Sequence, residues 1–372
     1  MYTLAISSNT SWYLYNFRKN TIKSIIDSGI KVICISPQDD YSQKLKSLGA
    51  VHVHIDIDKK GKNPFNDIKT IIQFRRILIK EKINIVLNFT PKNNIYGTIA
   101  AASCNIKVIN NIAGLGSVFS KKNATSRFVM FLYKISQRYA SKIFFQNEDD
   151  RYFFLDKGIV TFSKTERIPG SGTELTRFTP TLSKNDGVIR FILVARMLYE
   201  KGILHYIEAA RYLKGKYGSR VEFQMLGFID KENPSAITLN EIKNWQSEGI
   251  VNYLGVSDKV ENIIANIDCM VLPSFYREGV PKSLIEGAAM GKPIITTDNI
   301  GCREVVEHGV NGYLCQPQSS KSLVEQLDKF INLPSKKRIE MGIYSRKKAE
   351  REFDERIVIK KYLQAINELM TA

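Results

Sequence analysis

Short apolar runs recur along this chain, each followed by a longer stretch of helical spacing. TLAIS, KVICIS, INIVLNF, KVINNIA and KIFFQN are strand-like, while residues 17–28, 66–81, 95–104 and 125–140 carry apolar side chains at helical period. Strand and helix in alternation predict βαβ units, and hence a parallel sheet. The pattern pauses at RIPGSGTELTRFTPTLSKNDG, residues 167–187, whose Gly, Thr, Ser and Pro content reads as an interdomain linker. It restarts with VIRFILVAR, VEFQMLG, VNYLG, CMVLPS and KPIITT, and ends from Ser335 in helical, highly charged sequence. The expectation is α/β: two Rossmann-like doubly wound domains facing a cleft. Residues 1–178 form the first and 179–353 the second, with a C-terminal helix from about 354 to 372 packing back on the first. In such sheets ligands bind beyond the carboxyl ends of the strands.

A length of 372 residues suits two domains better than one core, and 44% apolar with 24% charged residues is a globular composition. Five scattered cysteines, none in a CxxC, argue against a disulfide framework or zinc knuckle and for a reducing, cytosolic compartment. The opening MYTLAISSNTSWYLY lacks the basic and long apolar regions of a signal peptide, and no apolar run is long enough to suggest a bilayer span. The net charge of +17 is uneven: residues 1–180 hold 27 Lys+Arg against 13 Asp+Glu, the remainder 27 against 24. A basic first half points to an anionic partner, whether nucleic acid, an acidic membrane surface or a phosphorylated acceptor. A basic bias of the whole proteome is the plainer reading, but it would not favour one half.

Two segments of the second half carry chemistry. In VARMLYEKG, Arg196 follows a strand and Lys201 precedes Gly202 and a helix. Two cations at a strand-to-helix turn suit a diphosphate, against the alternative of two solvated surface charges. In SFYREGVPKSLIEGAAMGKPIITTD, a helix is expected from about Pro281 to Met290, closed by Gly291. Its first turn would offer the N–H groups of Lys282, Ser283 and Leu284 to an anion. Glu278 lies just outside that turn and Glu286 within the helix. A carboxylate accepts two hydrogen bonds, so each could grip vicinal hydroxyls, one pair on a pyranose and one on a ribose. Otherwise Glu278 caps the helix and Glu286 is a surface acid. The apolar run LIEGAAMG argues for a buried Glu286, which then needs a partner.

Glu278 and Glu286, with seven residues between them, resemble the E-x7-E signature of family-4 retaining glycosyltransferases of the GT-B fold. VARMLYEKG resembles their Arg-x4-Lys diphosphate clamp. RIPGSGTELTRFTP resembles their domain-junction segment, with Glu174 where Asp is usual, and GCREVVEHGVNGYLCQP resembles their next block. In the first half, SNTSWYLYNFR, PKNNIYG and NNIAGLGSVF are similar to bacterial enzymes of O-antigen, capsule and lipid-linked-oligosaccharide assembly. The resemblance implies a UDP-sugar donor held mainly by the second domain. Arg196 and Lys201 would neutralise its diphosphate, and Glu278 would bind donor-sugar hydroxyls, assisted by the backbone from Gly279 and Val280 through Pro281 to Leu284. Glu286 would hold the ribose. It further implies retention of configuration without a metal or other cofactor, an undecaprenyl-diphosphate-linked acceptor, and a cytoplasmic enzyme peripheral on the inner face of the plasma membrane. Two departures stand out. The loop after the first strand, SSNTSWYLYNFR, has no glycine, and NNIAGLGSVF has no histidine where many members carry one; Gly114 and Gly116 could instead allow close backbone approach.

Three other features remain. VHVHIDID, residues 51–58, contains HxH and DxD on one face of a strand, which reads as an edge strand with one wet face rather than a metal site. TSWYLYNFRK offers Tyr13 and Arg18 as acceptor-side contacts, or else a helix start with core aromatics; Lys92 could reach an acceptor phosphate. SRFVMFLYKISQRY places Phe128, Phe131, Leu132, Ile135 and Tyr139 on one helical face, suited to a core or to a membrane surface. The rival functions are a nucleotide-sugar epimerase on the same scaffold and a nucleic-acid-binding protein suggested by charge alone. The latter leaves the two glutamates unexplained. A phosphorylase of this fold would need pyridoxal phosphate and a far longer chain.

Overall fold

The computed structural model describes residues 2–58, 64–116, 119, 123–181, 184 and 186–371. Ser117 and Val118 of NNIAGLGSVF, and Leu182, Ser183 and Asn185 of the expected linker, lie outside them. The chain forms two compact units, residues 1–171 with 356–372, and residues 172–355.

The first unit is built on seven strands: β1 (Thr3–Ser7), β2 (Lys31–Ser36), β3 (Val51–His54), β4 (Ile85–Asn88), β5 (Lys107–Ile112), β6 (Lys142–Phe145) and β7 (Thr165–Arg167). They lie in the order β3-β2-β1-β4-β5-β6-β7, every pair parallel. Nearly every residue of the central strands is buried, as a sheet covered on both faces requires. One face packs Leu14, Ile22 and Ile25 of the helix Ser11–Asp27 with Val358, Tyr362 and Ile366 of the helix Glu355–Thr371. The other packs Phe74 and Leu78 of the helix Pro64–Lys80, and Tyr133 of the helix Ala124–Gln137. The HxH strand sits at the sheet edge as β3 but ends at His54, and His52 Nε2 lies 3.2 Å from the hydroxyls of Ser11 and Ser36.

The second unit has six strands: β8 (Ile189–Val194), β9 (Val221–Leu226), β10 (Asn252–Tyr253), β11 (Cys269–Leu272), β12 (Ile294–Thr297) and β13 (Gly312–Cys315). Their order is β10-β9-β8-β11-β12-β13, again all parallel. Each unit therefore repeats the doubly wound order in which a first strand has its second and fourth as neighbours.

The units meet in sequence at Ser171/Gly172 and Glu355/Arg356, rather than at the expected 178/179 and 353/354. Packing explains the shift. Phe178 is buried in the second unit's core, and Thr173 pairs with the returning chain, its N–H donating to Phe353 O at 2.8 Å and its carbonyl accepting from Glu355 N at 3.1 Å. Gly172 has φ +69°, and a Cβ there would stand 2.4 Å from Glu355 Cα, so the crossing chains touch backbone to backbone.

Candidate active site

In the second unit, β8 and β11 are neighbours whose connections leave toward opposite ends of the sheet, which opens a crevice beyond their carboxyl ends. Arg196 and Lys201 follow β8, and Ser274 to Glu278 follow β11. The fold thus brings together two motifs far apart in sequence.

Backbone contacts fix both segments. Gly202 (φ +76°) begins the helix Ile203–Tyr217, and a Cβ there would fall 2.0 Å from Pro273 O, so Lys201 is carried against the end of β11. The Glu200 carbonyl accepts from Phe275 N at 3.0 Å, Tyr276 N at 3.1 Å and Ser274 Oγ at 3.2 Å. Asn299 Nδ2 donates to Tyr276 O at 2.8 Å, and the Thr297 hydroxyl donates to Ser274 O. Gly301 lies so close beneath Gly279 O that a Cβ would approach to 2.2 Å. The loop carrying Glu278 is thereby held from three sides.

The Lys201 ammonium pairs with Glu278 Oε1, the two side chains being 11% and 12% exposed. Ser274 Oγ lies 3.1 Å from the same oxygen, its one proton shared between Glu278 and the Glu200 carbonyl, and Lys201 Nζ sits 4.9 Å from the centre of the Tyr276 ring. Arg196 is half-buried, and its side chain has no hydrogen bond or ion pair among the described residues. The two expected cations therefore differ: one is matched by Glu278, and one is uncommitted. Cys302 is buried beside this pair. Burial, with the Glu278 charge adding, pushes its thiol up to about 12.

The helix runs Lys282–Ala289, with Pro281 outside it as an extended cap (ψ 118°), and Gly291 follows at φ +69°. Pro281 O accepts from Leu284 N at 3.1 Å, so Leu284 does not offer the free N–H expected of it. Among the described residues Ser283 N–H has no partner. The Glu286 side chain is 12% exposed, with Lys282 Nζ 3.9 Å away and no hydrogen bond to its carboxylate among the described residues. Burial raises its carboxyl above the ordinary range, opposed by the charges of Lys282 and Arg177. Arg177 donates to Glu261 Oε2 at 2.7 Å. Its place in RIPGSGTELTRFTP was the only sequence sign of it; Ser274, Thr297 and Gly301 likewise lie within the quoted segments without a role read for them, and Asn299 lies outside them.

The first unit treats its sequence candidates differently. Arg18 is interior, 1% exposed, with its guanidinium 4.3 Å from the Phe89 ring centre and Nη2 donating to Tyr13 OH at 3.3 Å. It does not present a phosphate-binding surface, because the helix Ser11–Asp27 turns this face to the core. Tyr13 is half-buried and stacks on Phe17 at 4.9 Å. Lys92 Nζ pairs with Asp67 Oδ1 at 2.7 Å, so its charge is neutralised within the unit. Gly114 and Gly116, after β5, both take positive φ, +96° and +65°.

These features are those of the GT-B glycosyltransferases: two doubly wound units, one with a cation-bearing strand edge. Residues 176–348 match the family model described as "Glycosyl transferases group 1", and residues 3–147 match "Glycosyl transferase 4-like". The chain belongs to these glycosyltransferases. It is 29% identical over 368 residues, 94% of each chain, to N,N'-diacetylbacillosaminyl-diphospho-undecaprenol alpha-1,3-N-acetylgalactosaminyltransferase of Campylobacter jejuni. It is 25% identical, over 73% of each chain, to UDP-Gal:alpha-D-GlcNAc-diphosphoundecaprenol alpha-1,3-galactosyltransferase of Escherichia coli. Among solved structures, Anabaena HepE in complex with UDP-glucose superposes with a TM-score of 0.79 at 16% identity, covering 100% of both chains.

Proposed function

We propose that this glycosyltransferase moves a hexose or N-acetylhexosamine from a UDP-sugar to a glycan carried on undecaprenyl diphosphate, in the assembly of a bacterial O-antigen or capsule. The observation that carries the donor half is the uncommitted Arg196 beside the Lys201–Glu278 pair, at the crevice between β8 and β11. The acceptor half rests on the two relatives, whose names specify diphospho-undecaprenol acceptors, and the UDP on the galactosyltransferase and on HepE.

In this reading Arg196 and Lys201 meet the diphosphate, and the start of the helix Lys282–Ala289 adds its dipole and N–H groups. Glu278 accepts from sugar hydroxyls and Glu286 from the ribose. The bond from the sugar's anomeric carbon to the β-phosphate oxygen breaks, while a bond to the acceptor hydroxyl forms on the same face. The acceptor's proton passes to the departing phosphate oxygen, giving UDP and a glycan extended with retention. The two cations carry the leaving-group charge, so no metal is required. The enzyme works in the cytoplasm, peripheral on the inner face of the plasma membrane; among the described residues, no helix is long and apolar enough to cross one.

The pure protein, given radiolabelled UDP-sugars and synthetic prenyl-diphosphate sugars, should label one acceptor in a reaction that EDTA leaves unchanged. Interconversion of UDP-sugars without an acceptor would replace this reading with an epimerase, and salt-sensitive DNA or RNA binding without turnover would replace it with a nucleic-acid binder.

A further inference from the structure

Two helices of the first unit present apolar side chains outward. On the helix Pro64–Lys80, Ile68, Ile72 and Ile79 are exposed at helical spacing, with Phe65 one turn before Ile68. On the helix Ala124–Gln137, Phe128 and Phe131 are each 57% exposed. Of the face that could have been core, Phe128, Phe131 and Tyr139 are turned outward while Leu132 packs on the core and Ile135 is half-buried, because Tyr133, Ser136 and Gln137 take the buried side. Such a stripe facing water is costly unless something covers it.

The two helices belong to one layer. Both pack against the segment Asn93–Ala102, and Ile71 touches the cores beneath each. Each follows a strand of a parallel sheet, β3 or β5, so each begins at the sheet's carboxyl edge. Ile68, Phe128 and Phe131 stand in the first two turns, close to that edge.

Around these apolar groups cations predominate, the nearby acids being Asp56, which accepts from Gln73 Nε2 of the first helix at 2.8 Å, and Glu81 just after that helix. Lys69, Arg75, Arg76 and Lys80 are exposed on the first helix; Arg127, Lys134 and Arg138 are exposed on or just after the second. The second helix has no acid, and the first has Asp67 alone, which is tied to Lys92 at 2.7 Å and to Tyr96 OH at 2.7 Å. A protein partner is met by mixed charges. Apolar groups set among an excess of cations complement an anionic lipid surface, where the side chains enter the acyl boundary and the cations meet headgroups.

The geometry points to this layer as the surface by which the first unit docks on an anionic bilayer, setting the carboxyl edge of its sheet toward the lipid. The inference rests on the proposed lipid-linked acceptor and names the face that meets the membrane carrying it.

Cosedimentation with vesicles of phosphatidylcholine containing phosphatidylglycerol tests it, against vesicles of phosphatidylcholine alone. The full chain should bind the anionic vesicles, and bind less as salt rises. Ile68→Ser/Ile72→Ser/Phe128→Ser/Phe131→Ser should weaken binding about ten-fold or more, with Phe128→Ser/Phe131→Ser in reserve should the fourfold variant not fold. Arg75→Glu/Arg76→Glu should abolish the preference for anionic lipid. Ile339→Ser/Ile343→Ser, exposed in the second unit, should change nothing. Equal binding to both vesicle types, no binding, or equal loss in the control would overturn the proposal. So would a dimer in solution that the serine variants dissociate. On a short-chain, water-soluble prenyl-diphosphate acceptor the serine variants should match the wild type, and on a vesicle-embedded acceptor fall behind it. Vesicle binding with no turnover of either acceptor by the wild type would sink the proposed function and leave the docking face supported.

Discussion

The two units share a strand order and furnish its equivalent edges with opposite chemistry. Beyond β8 and β11 stand the charged Arg196, Lys201 and Glu278, Arg196 half-buried and the Lys201–Glu278 pair largely buried. Between β1 and β4 the groups are neutral and buried. Ser7 Oγ donates to Asn88 Oδ1 at 2.5 Å, Asn88 Nδ2 to Asn110 Oδ1 at 2.9 Å, and Asn110 Nδ2 to Gln137 Oε1 at 2.7 Å. The same topology therefore supports two uses of the switch point. In the second unit the groups are charged and Arg196 is uncommitted; in the first, Ser7, Asn88, Asn110 and Gln137 satisfy one another and shape the edge, while Asn93 Nδ2, Asn94 Oδ1 and Asn111 Nδ2 have no partner among the described residues. Gly97 belongs to that shaping: it lies in a π-helical turn, Asn93–Gly97, and a Cβ there would stand 2.8 Å from Asn88 Oδ1.

The contrast predicts that single changes at the second unit's edge remove catalysis while the fold survives. Glu278→Ala should lower kcat/KM by about a thousand-fold or more, and Arg196→Ala by about a hundred-fold, the range for groups meeting transition-state charge. Thermal melts should hold steady for Arg196→Ala, since that side chain has no protein partner to lose among the described residues. Normal turnover by Glu278→Ala with the assigned substrates would end its assignment.

Lys201 tests whether the ion pair is also structural. Lys201→Met leaves a Glu278 carboxylate that is 12% exposed without its cation, and should destabilise the unit by up to about 3 kcal/mol. Lys201→Met/Glu278→Leu should recover most of that stability and none of the activity. Urea melts of the four members of the cycle measure the coupling; additive losses would mean the pair acts only in catalysis.

At the first unit's edge the order of effects reverses. Asn88→Ala removes a group bonded to both Ser7 and Asn110, leaving buried partners unmatched, and should cost about 1–3 kcal/mol. Affinity for UDP, read by titration calorimetry, should not change. A loss of UDP affinity that exceeds the loss of stability would show that this network serves the donor as well.

How much of this could be read in advance follows the same division. The parallel doubly wound units and the charged motifs were legible because parallel strands write continuous apolar runs and because Arg-x4-Lys and E-x7-E are local spacings. What escaped was long-range. That Lys201 would be matched by Glu278 depends on Gly202 abutting Pro273, a contact between residues 71 positions apart with no local mark. Arg18 and Lys92 looked like surface cations because charge usually is. The core position of one and the Asp67 partner of the other arise only when helices pack. The unit boundary moved because Phe178, in a segment rich in turn residues, is core.

Glu286 supplies the subtlest test. Its carboxyl is raised by burial, and Lys282 and Arg177 only partly offset that cost. A ribose donating hydrogen bonds would favour the charged form. Binding of UDP should therefore weaken as pH falls through the folded pKa, which lies above the usual 4.5, so the acid limb begins earlier than for an exposed glutamate. In the unliganded protein the sign is opposite. The folded state holds its proton more tightly than the unfolded one, so Glu286 costs stability as pH rises through that window. Glu286→Gln should flatten the acid limb of UDP binding, weaken UDP less than about ten-fold at neutral pH, and make the unliganded enzyme slightly more stable there. A variant with an unchanged acid limb would place the ribose elsewhere.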